Sequence, residues 1–236
     1  MNPQPSLLYA ESYIKIHASH TGPGFHGSPT GPFVTVSRET GTGVTEFTNT
    51  LAKQLDQRLP GRKPWTVFDR NLVETMLSSR GLSPFLASLL PEDKVSEIQS
   101  SFGEITGIHP SLWELTHLTN EMMRQLARAG HVILVGRGAN FATDRIEHGL
   151  HLRLVGSKDY RAEFKARELN VSVDEAMTRN LQTDNARRKY VRSVFGADVE
   201  TPQAYDLVIN VARMPTATWV DLIVELVVAQ VPVTAD

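Results

Sequence analysis

Residues 33 to 45, FVTVSRETGTGVT, constrain the fold more than any other stretch of the chain. A short β-branched run, Phe33, Val34, Thr35 and Val36, leads into a loop carrying Gly41 and Gly43. Behind the loop, Val44, Phe47, Leu51 and Leu55 recur at close to the 3.6-residue helical period. A strand, a glycine loop and a helix make the layout of a phosphate-binding loop. Glycines let successive backbone amides close around an anion, and the helix N-terminus adds partial positive charge. Laid against the pattern G-x-x-x-x-G-K-[ST], residues 38 to 45 put Arg38 at the first glycine and Gly43 at the second. Val44 then stands at the lysine and Thr45 at the hydroxyl. Arg38 and Val44 break the pattern, so a plain glycine turn between strand and helix stays as the lesser alternative for this stretch. The rest of the chain has to decide.

Four further apolar runs follow at intervals filled by helical patterns. They are Trp65 to Asp69, His131 to Val135, Leu150 to Val155 and Tyr205 to Val211. Helices are expected from Val44 to about Leu59, stopped by Pro60-Gly61, and over Asn71 to Arg80 and Ser111 to Ala129. Others are expected over Lys158 to Leu169, with Asn170 as the stop, over Ser172 to Phe195, and over Thr216 to Ala229. Strands alternating with helices imply a parallel sheet with right-handed crossovers, and ligands in such sheets bind beyond the carboxyl ends of the strands. Those ends carry Ser37-Arg38, Asp69-Arg70 and Gly136-Arg137. Residues 1–32 read as an appendage: a short amphipathic helix over Ser6 to Ser19, then a connection rich in Gly, Pro, Ser and Thr.

Composition removes several classes. The chain has 236 residues and a formal charge of −2, which argues against a general nucleic-acid binder. It has no cysteine, which excludes disulfides, Cys-ligated zinc and thiol nucleophiles. No run approaches the roughly 18 apolar residues of a membrane span. The first residues lack a basic stretch followed by a long apolar core, so a cytoplasmic protein is expected. The eight histidines show no metal-like pairing. Trp65, Trp113 and Trp219 sit in apolar patterns that suit a core.

The pieces VTVSRETGTGVTEF, VFDRNLVETML, VILVGRGANF, DNARRKYVRSVFG and YDLVINV resemble, in order and spacing, the cytidylate-kinase-like relatives of the P-loop nucleoside monophosphate kinases. The resemblance runs from about Phe33 to Ala229. It implies a three-layer α/β P-loop fold with a five-stranded parallel sheet, over residues 33–230. Within it, 82–113 would form a helical acceptor-binding insert and 172–196 a lid. The activity implied is ATP- and magnesium-dependent phosphoryl transfer to a nucleoside monophosphate, CMP or dCMP first. The partner is a small-molecule nucleotide, and a homodimer stays open. Two other readings remain: a nucleotide-binding module without turnover, and a kinase for another small phosphorylated or hydroxylated acceptor.

Phosphoryl transfer requires donor, acceptor and metal held in line, with positive charge around the transferring group. Ser37, Gly41, Thr42, Gly43, Val44 and Thr45 would cradle the donor phosphates, with the Thr45 hydroxyl toward magnesium. Val44 cannot supply the charge that a lysine would. Arg38 is the nearest cation, unless it is held in a surface pair with Glu39 or Glu46. Asp69, with Arg70, would place the acceptor or a magnesium-bound water, or Asp69 would simply cap the next helix. Arg137, between two glycines, suits a forked contact with phosphate oxygens. Its structural alternative is a pair with Asp144 or Glu147. The family's Gly-Arg-Asp sequence is matched at Gly136-Arg137, but Gly138 stands for Asp, and Val135 replaces an acidic residue. Asp184, Arg187, Arg188 and Arg192 share a helix face, which fits either a lid closing on phosphates or a solvated charged surface. Arg187 and Arg188, with Arg38, would supply the charge missing at Val44.

Overall fold

The computed structural model describes residues 31–59, 64–69 and 112–231. The expected appendage up to residue 30, the helix over 71–80 and all but the last two residues of the insert over 82–113 lie outside them. Five strands form one sheet in the order β2-β3-β1-β4-β5. They are β1 (Phe33–Arg38), β2 (Thr66–Phe68), β3 (Val132–Val135), β4 (Gly149–Val155) and β5 (Leu207–Asn210). Every pairing is parallel. Central β1 aligns Val34 with Ile133 on one side and Leu150 on the other.

Helices cover both faces, giving three layers. On one side α1 (Val44–Arg58) lies beside α6 (Thr216–Ala229). Leu51 and Leu55 from α1 and Ile223 and Val227 from α6 bury against Val34, Val36, Leu152 and Leu154. Each such side chain removed from water contributes about 2 kcal/mol. On the other side α2 (Leu112–Ala129) and the single turn α3 (Ala139–Ala142) pack on Phe33, Phe68 and Leu134. Strand alternation divides β4 accordingly. Leu150, Leu152 and Leu154 enter the α1/α6 core, which leaves His151 and Arg153 to the opposite face.

Two helices follow β4: α4 (Lys158–Leu169) and α5 (Val173–Phe195), packed against each other. Their ends carry ordinary stop and start chemistry. Ser157 and Ser172 accept from Tyr160 and Glu175 amides as N-caps, and Asn170 (φ 54°) and Gly196 (φ 64°) end the helices in the left-handed region.

Strand ends depart from the sequence reading for local reasons. The third strand starts at Val132, because Gly130 and His131 both turn left-handed (φ 71° and 56°). The fifth starts at Leu207, after a 3-10 turn at Pro202–Ala204 capped by Tyr205. Asp206 then bonds the His151 backbone both ways: its amide donates to the carbonyl, and its carboxylate accepts from the amide at 2.7 Å. The second strand keeps three of its five expected residues. The first gains Ser37 and Arg38 by pairing with Arg153 and Leu154.

Candidate active site

The carboxyl ends of β1, β3 and β4 open into a cavity of about 460 Å³, roofed by α5. Its chemistry is cationic: Arg38, Arg137, Arg153, Arg187 and Arg188 all line it, with Tyr190 beside them. Arg137 arrives on a backbone that reverses sharply after β3. Gly136, Arg137 and Gly138 have φ of 82°, 55° and 69°, three successive left-handed residues. Both glycines are favoured by φ, and Gly138 by contact as well. A Cβ at 136 would land on Arg38 Nη1, and one at 138 on the Phe195 ring. The Arg137 guanidinium lies 5.5 Å from the Tyr190 ring centroid, a cation–π arrangement. Burial pushes the Tyr190 phenol above its ordinary value, and the Arg137 charge pulls it partly back.

The glycine loop lies next to this cavity. Of the residues expected to hold donor phosphates, Ser37 lines the cavity, whereas Gly41, Thr42, Gly43, Val44 and Thr45 do not. Gly41 (φ 85°) packs so closely on the Arg161 carbonyl that no side chain fits. Gly43 (φ 69°) is the N-cap of α1 and brings no capping side chain. Among the described residues, the amides of 41–45 donate to no acceptor. They converge at the N-terminus of a 15-residue helix, and such donors suit an anion. Thr42 bonds the Glu39 carbonyl through its hydroxyl at 2.9 Å. Val44 packs toward the α1/α6 core, and Thr45 is exposed on the first turn.

The next amide back, Thr40 N–H, is taken by a side chain of α5. Asp184 Oδ1 accepts from Thr40 N at 2.8 Å and from Thr40 Oγ1 at 2.7 Å. Its other oxygen pairs with Arg161 Nη1 at 2.8 Å. Arg161 also holds Glu39 at 3.2 Å and the carbonyls of Thr40 and Gly156. Glu39 is thus engaged by Arg161 and by the Gly156 amide at 3.0 Å. Arg187 donates to Thr40 Oγ1 at 2.9 Å, to the Arg38 carbonyl and to Asp184. It clamps α5 to the loop as it lines the cavity. Arg188 pairs with Glu200 at 2.9 Å on the cavity rim. Arg192, on the same helix, is exposed and does not line the cavity. Asp69 follows β2, exposed and outside the cavity lining, and Arg70 lies outside the described residues.

Several residues here escaped the sequence reading. Arg161 gave no signal, and Glu39 was read only as a possible partner of Arg38, because the contacts joining Glu39 to Arg161 and Gly156 span more than a hundred residues. Arg153 did give one: a cation inside the apolar alternation of LHLRLV, in a strand with neighbours on both sides. Tyr190, one turn from Arg187, was legible only as part of the charged helix.

The family described as cytidylate kinase-like matches residues 33–213. Over 180 residues the chain is 24% identical to a cytidylate kinase of Pyrococcus horikoshii, covering 76% of this chain and 80% of the relative. It is 26% identical over 180 residues to a cytidylate kinase of Methanothrix thermoacetophila, covering 76% of this chain and 88% of that one. A solved structure of an uncharacterized protein from Eubacterium ventriosum shares the fold. Its TM-score is 0.60 at 14% identity, over 84% of this chain and 98% of that one.

Proposed function

The chain belongs to the cytidylate kinase-like family, and from that premise we propose that it transfers a phosphoryl group from ATP, with magnesium, to a nucleoside monophosphate. CMP and dCMP are the first acceptors to test, following the names of the two relatives. One observation carries the reading: guanidinium groups from three strand ends and a helix line a single cavity, beside a loop whose amides 41–45 have no acceptor among the described residues.

The donor set fits the group it would hold. Backbone amides of 41–45 and the α1 N-terminus suit the donor phosphates, and the exposed Thr45 hydroxyl suits the metal. When bound, magnesium-ATP supplies the phosphoryl group and neutralises part of the charge that spreads over it. The chain's own work is positioning and charge. Arg137, fixed by the turn at 136–138, orients the acceptor. Arg38 stands beside it, its guanidinium packed against Gly136. Arg187 and Arg188 bring charge from α5, and the helix keeps water off the reacting groups. Together these cations take the place of the lysine that Val44 replaces.

A second reading, a nucleotide-binding module without turnover, is favoured by one contact: the Asp184 carboxylate already occupies Thr40 N–H at the entry to the loop. ADP release with magnesium and ATP, across a panel of monophosphates, separates the two. Turnover with one acceptor supports the kinase. Binding without turnover supports the module, and turnover only with another small acceptor redirects the assignment.

A further inference from the structure

Arg153 is the most expensive residue in the sheet. It sits on β4, between β1 and β5, in register with Ser37 and Val208, and is 6% exposed. Burying a guanidinium costs several kcal/mol unless other groups compensate its charge. Among the described residues, no carboxylate lies within ion-pair distance of it. Its contacts are the Ser37 hydroxyl, which accepts from Nη1 at 3.1 Å, and the Tyr205 ring, 5.7 Å away.

Those two partners are themselves fixed. Tyr205 has one phenol proton, and it goes to the Val199 carbonyl at 2.8 Å, since a carbonyl can only accept. The Ser37 hydroxyl, 3.3 Å from the phenol oxygen, therefore donates to it while accepting from Arg153. The relay holds one end of the guanidinium in place. Nε and Nη2 donate to no described atom and are not sealed in protein, so they open on the cavity that Arg153 lines. A planar fork, oriented by its neighbours and lacking a counter-charge, is the arrangement that takes up an anion bidentately.

We propose that Arg153 is a specificity-determining contact for the acceptor, reading a phosphate monoester on it, so that the site favours anionic acceptors over neutral hydroxyl compounds. This deepens the kinase reading and rests on it for the identity of the acceptor. Arg38 and Arg137 line the same cavity, so an acceptor phosphate held by the fork would lie in a cavity that two further strand-end guanidiniums also line.

The test is calorimetric binding of CMP, cytidine, inorganic phosphate and ATP to wild type, Arg153→Met and Arg153→Lys, with thermal melting of each. Charge-assisted hydrogen bonds of this kind correspond to about a 10- to 100-fold change in affinity. Arg153→Met is therefore expected to weaken CMP binding by that factor, leave ATP within about twofold, and narrow the preference for CMP over cytidine. Arg153→Lys, which keeps the charge and loses the fork, falls between, and it carries the test if the Met variant does not fold. Equal CMP affinity in wild type and the folded variants overturns the proposal. So does equal weakening of CMP and ATP, or a wild type that binds neither CMP nor phosphate. Because binding needs no turnover, a protein that binds CMP through Arg153 but releases no ADP refutes the kinase reading and leaves Arg153 as the phosphate contact of a binding site.

Discussion

Replacing Asp184 with alanine tests how α5 is held to the glycine loop. The carboxylate is 13% exposed and makes four contacts, two to Thr40, one to Arg161 and one to Arg187. Removing one partner of a buried ion pair typically costs about 3–5 kcal/mol. Arg161 retains Glu39 and two carbonyls in the variant, so its charge is not stranded. The lower end, about 3 kcal/mol, is expected on that basis. For a chain of this size each kcal/mol moves the melting temperature by roughly 2–4 °C, so the loss should read as about 6–12 °C. Circular dichroism melts of wild type, Asp184→Ala and Asp184→Asn measure it. The asparagine oxygen can still accept from Thr40, so that variant should lose about half as much. A Thr40→Val partner closes a double-mutant cycle. Contact between 40 and 184 demands that the two losses fail to add. An alanine variant melting within about 2 °C of wild type would sink the argument, since that corresponds to under about 1 kcal/mol.

Three further outcomes are expected. Burial holds the His151 imidazole below its ordinary value of 6.5, against the opposing pull of Asp206 and then Asp144. The folded chain thus binds this proton less readily than the unfolded one. Its contribution to stability is complete above about pH 6.5 and shrinks as pH falls below that. Urea titrations between pH 7.5 and 5 should show this slope, and His151→Gln should flatten it. A slope unchanged in the variant rules the residue out. The pair Arg187→Ala, Arg188→Ala should lower kcat by about 100-fold or more if both arginines stabilise transferring charge. Near wild-type turnover would remove them from the mechanism. Arg188 alone, paired with Glu200 on the rim, should change stability by no more than about 1 kcal/mol.

Much of the scaffold could be read ahead of time where local chemistry alone decides. Ser157, Asn170, Ser172 and Gly196 bound α4 and α5 because caps act within a few residues of themselves. The parallel sheet followed from β3, an uninterrupted apolar run buried throughout. Strand starts were less legible. His131 has a β-compatible side chain, yet its backbone turns left-handed, and nothing in its neighbours announces that. For the site, Arg38 and Arg137 could be named from their place after strands. That they share a cavity with Arg153 depends on the order of β3, β1 and β4 in the sheet, and the tie of Asp184 to Thr40 spans 144 residues. Contacts of that kind come from tertiary packing, which periodicity does not encode. The comparisons bear out the family and the α/β architecture.

The reversal at residues 136–138 separates what the fold needs from what the chemistry needs. Its handedness is secured by the two flanking glycines, and the middle position asks only for a side chain that tolerates φ near 55°. Asparagine or glycine would sit there at least as comfortably as arginine. A substitution there keeps the turn and gives up the guanidinium's contact with the Tyr190 ring. On the proposed function, a relative could therefore lose the acceptor contact at position 137 while its backbone still made the same left-handed turn.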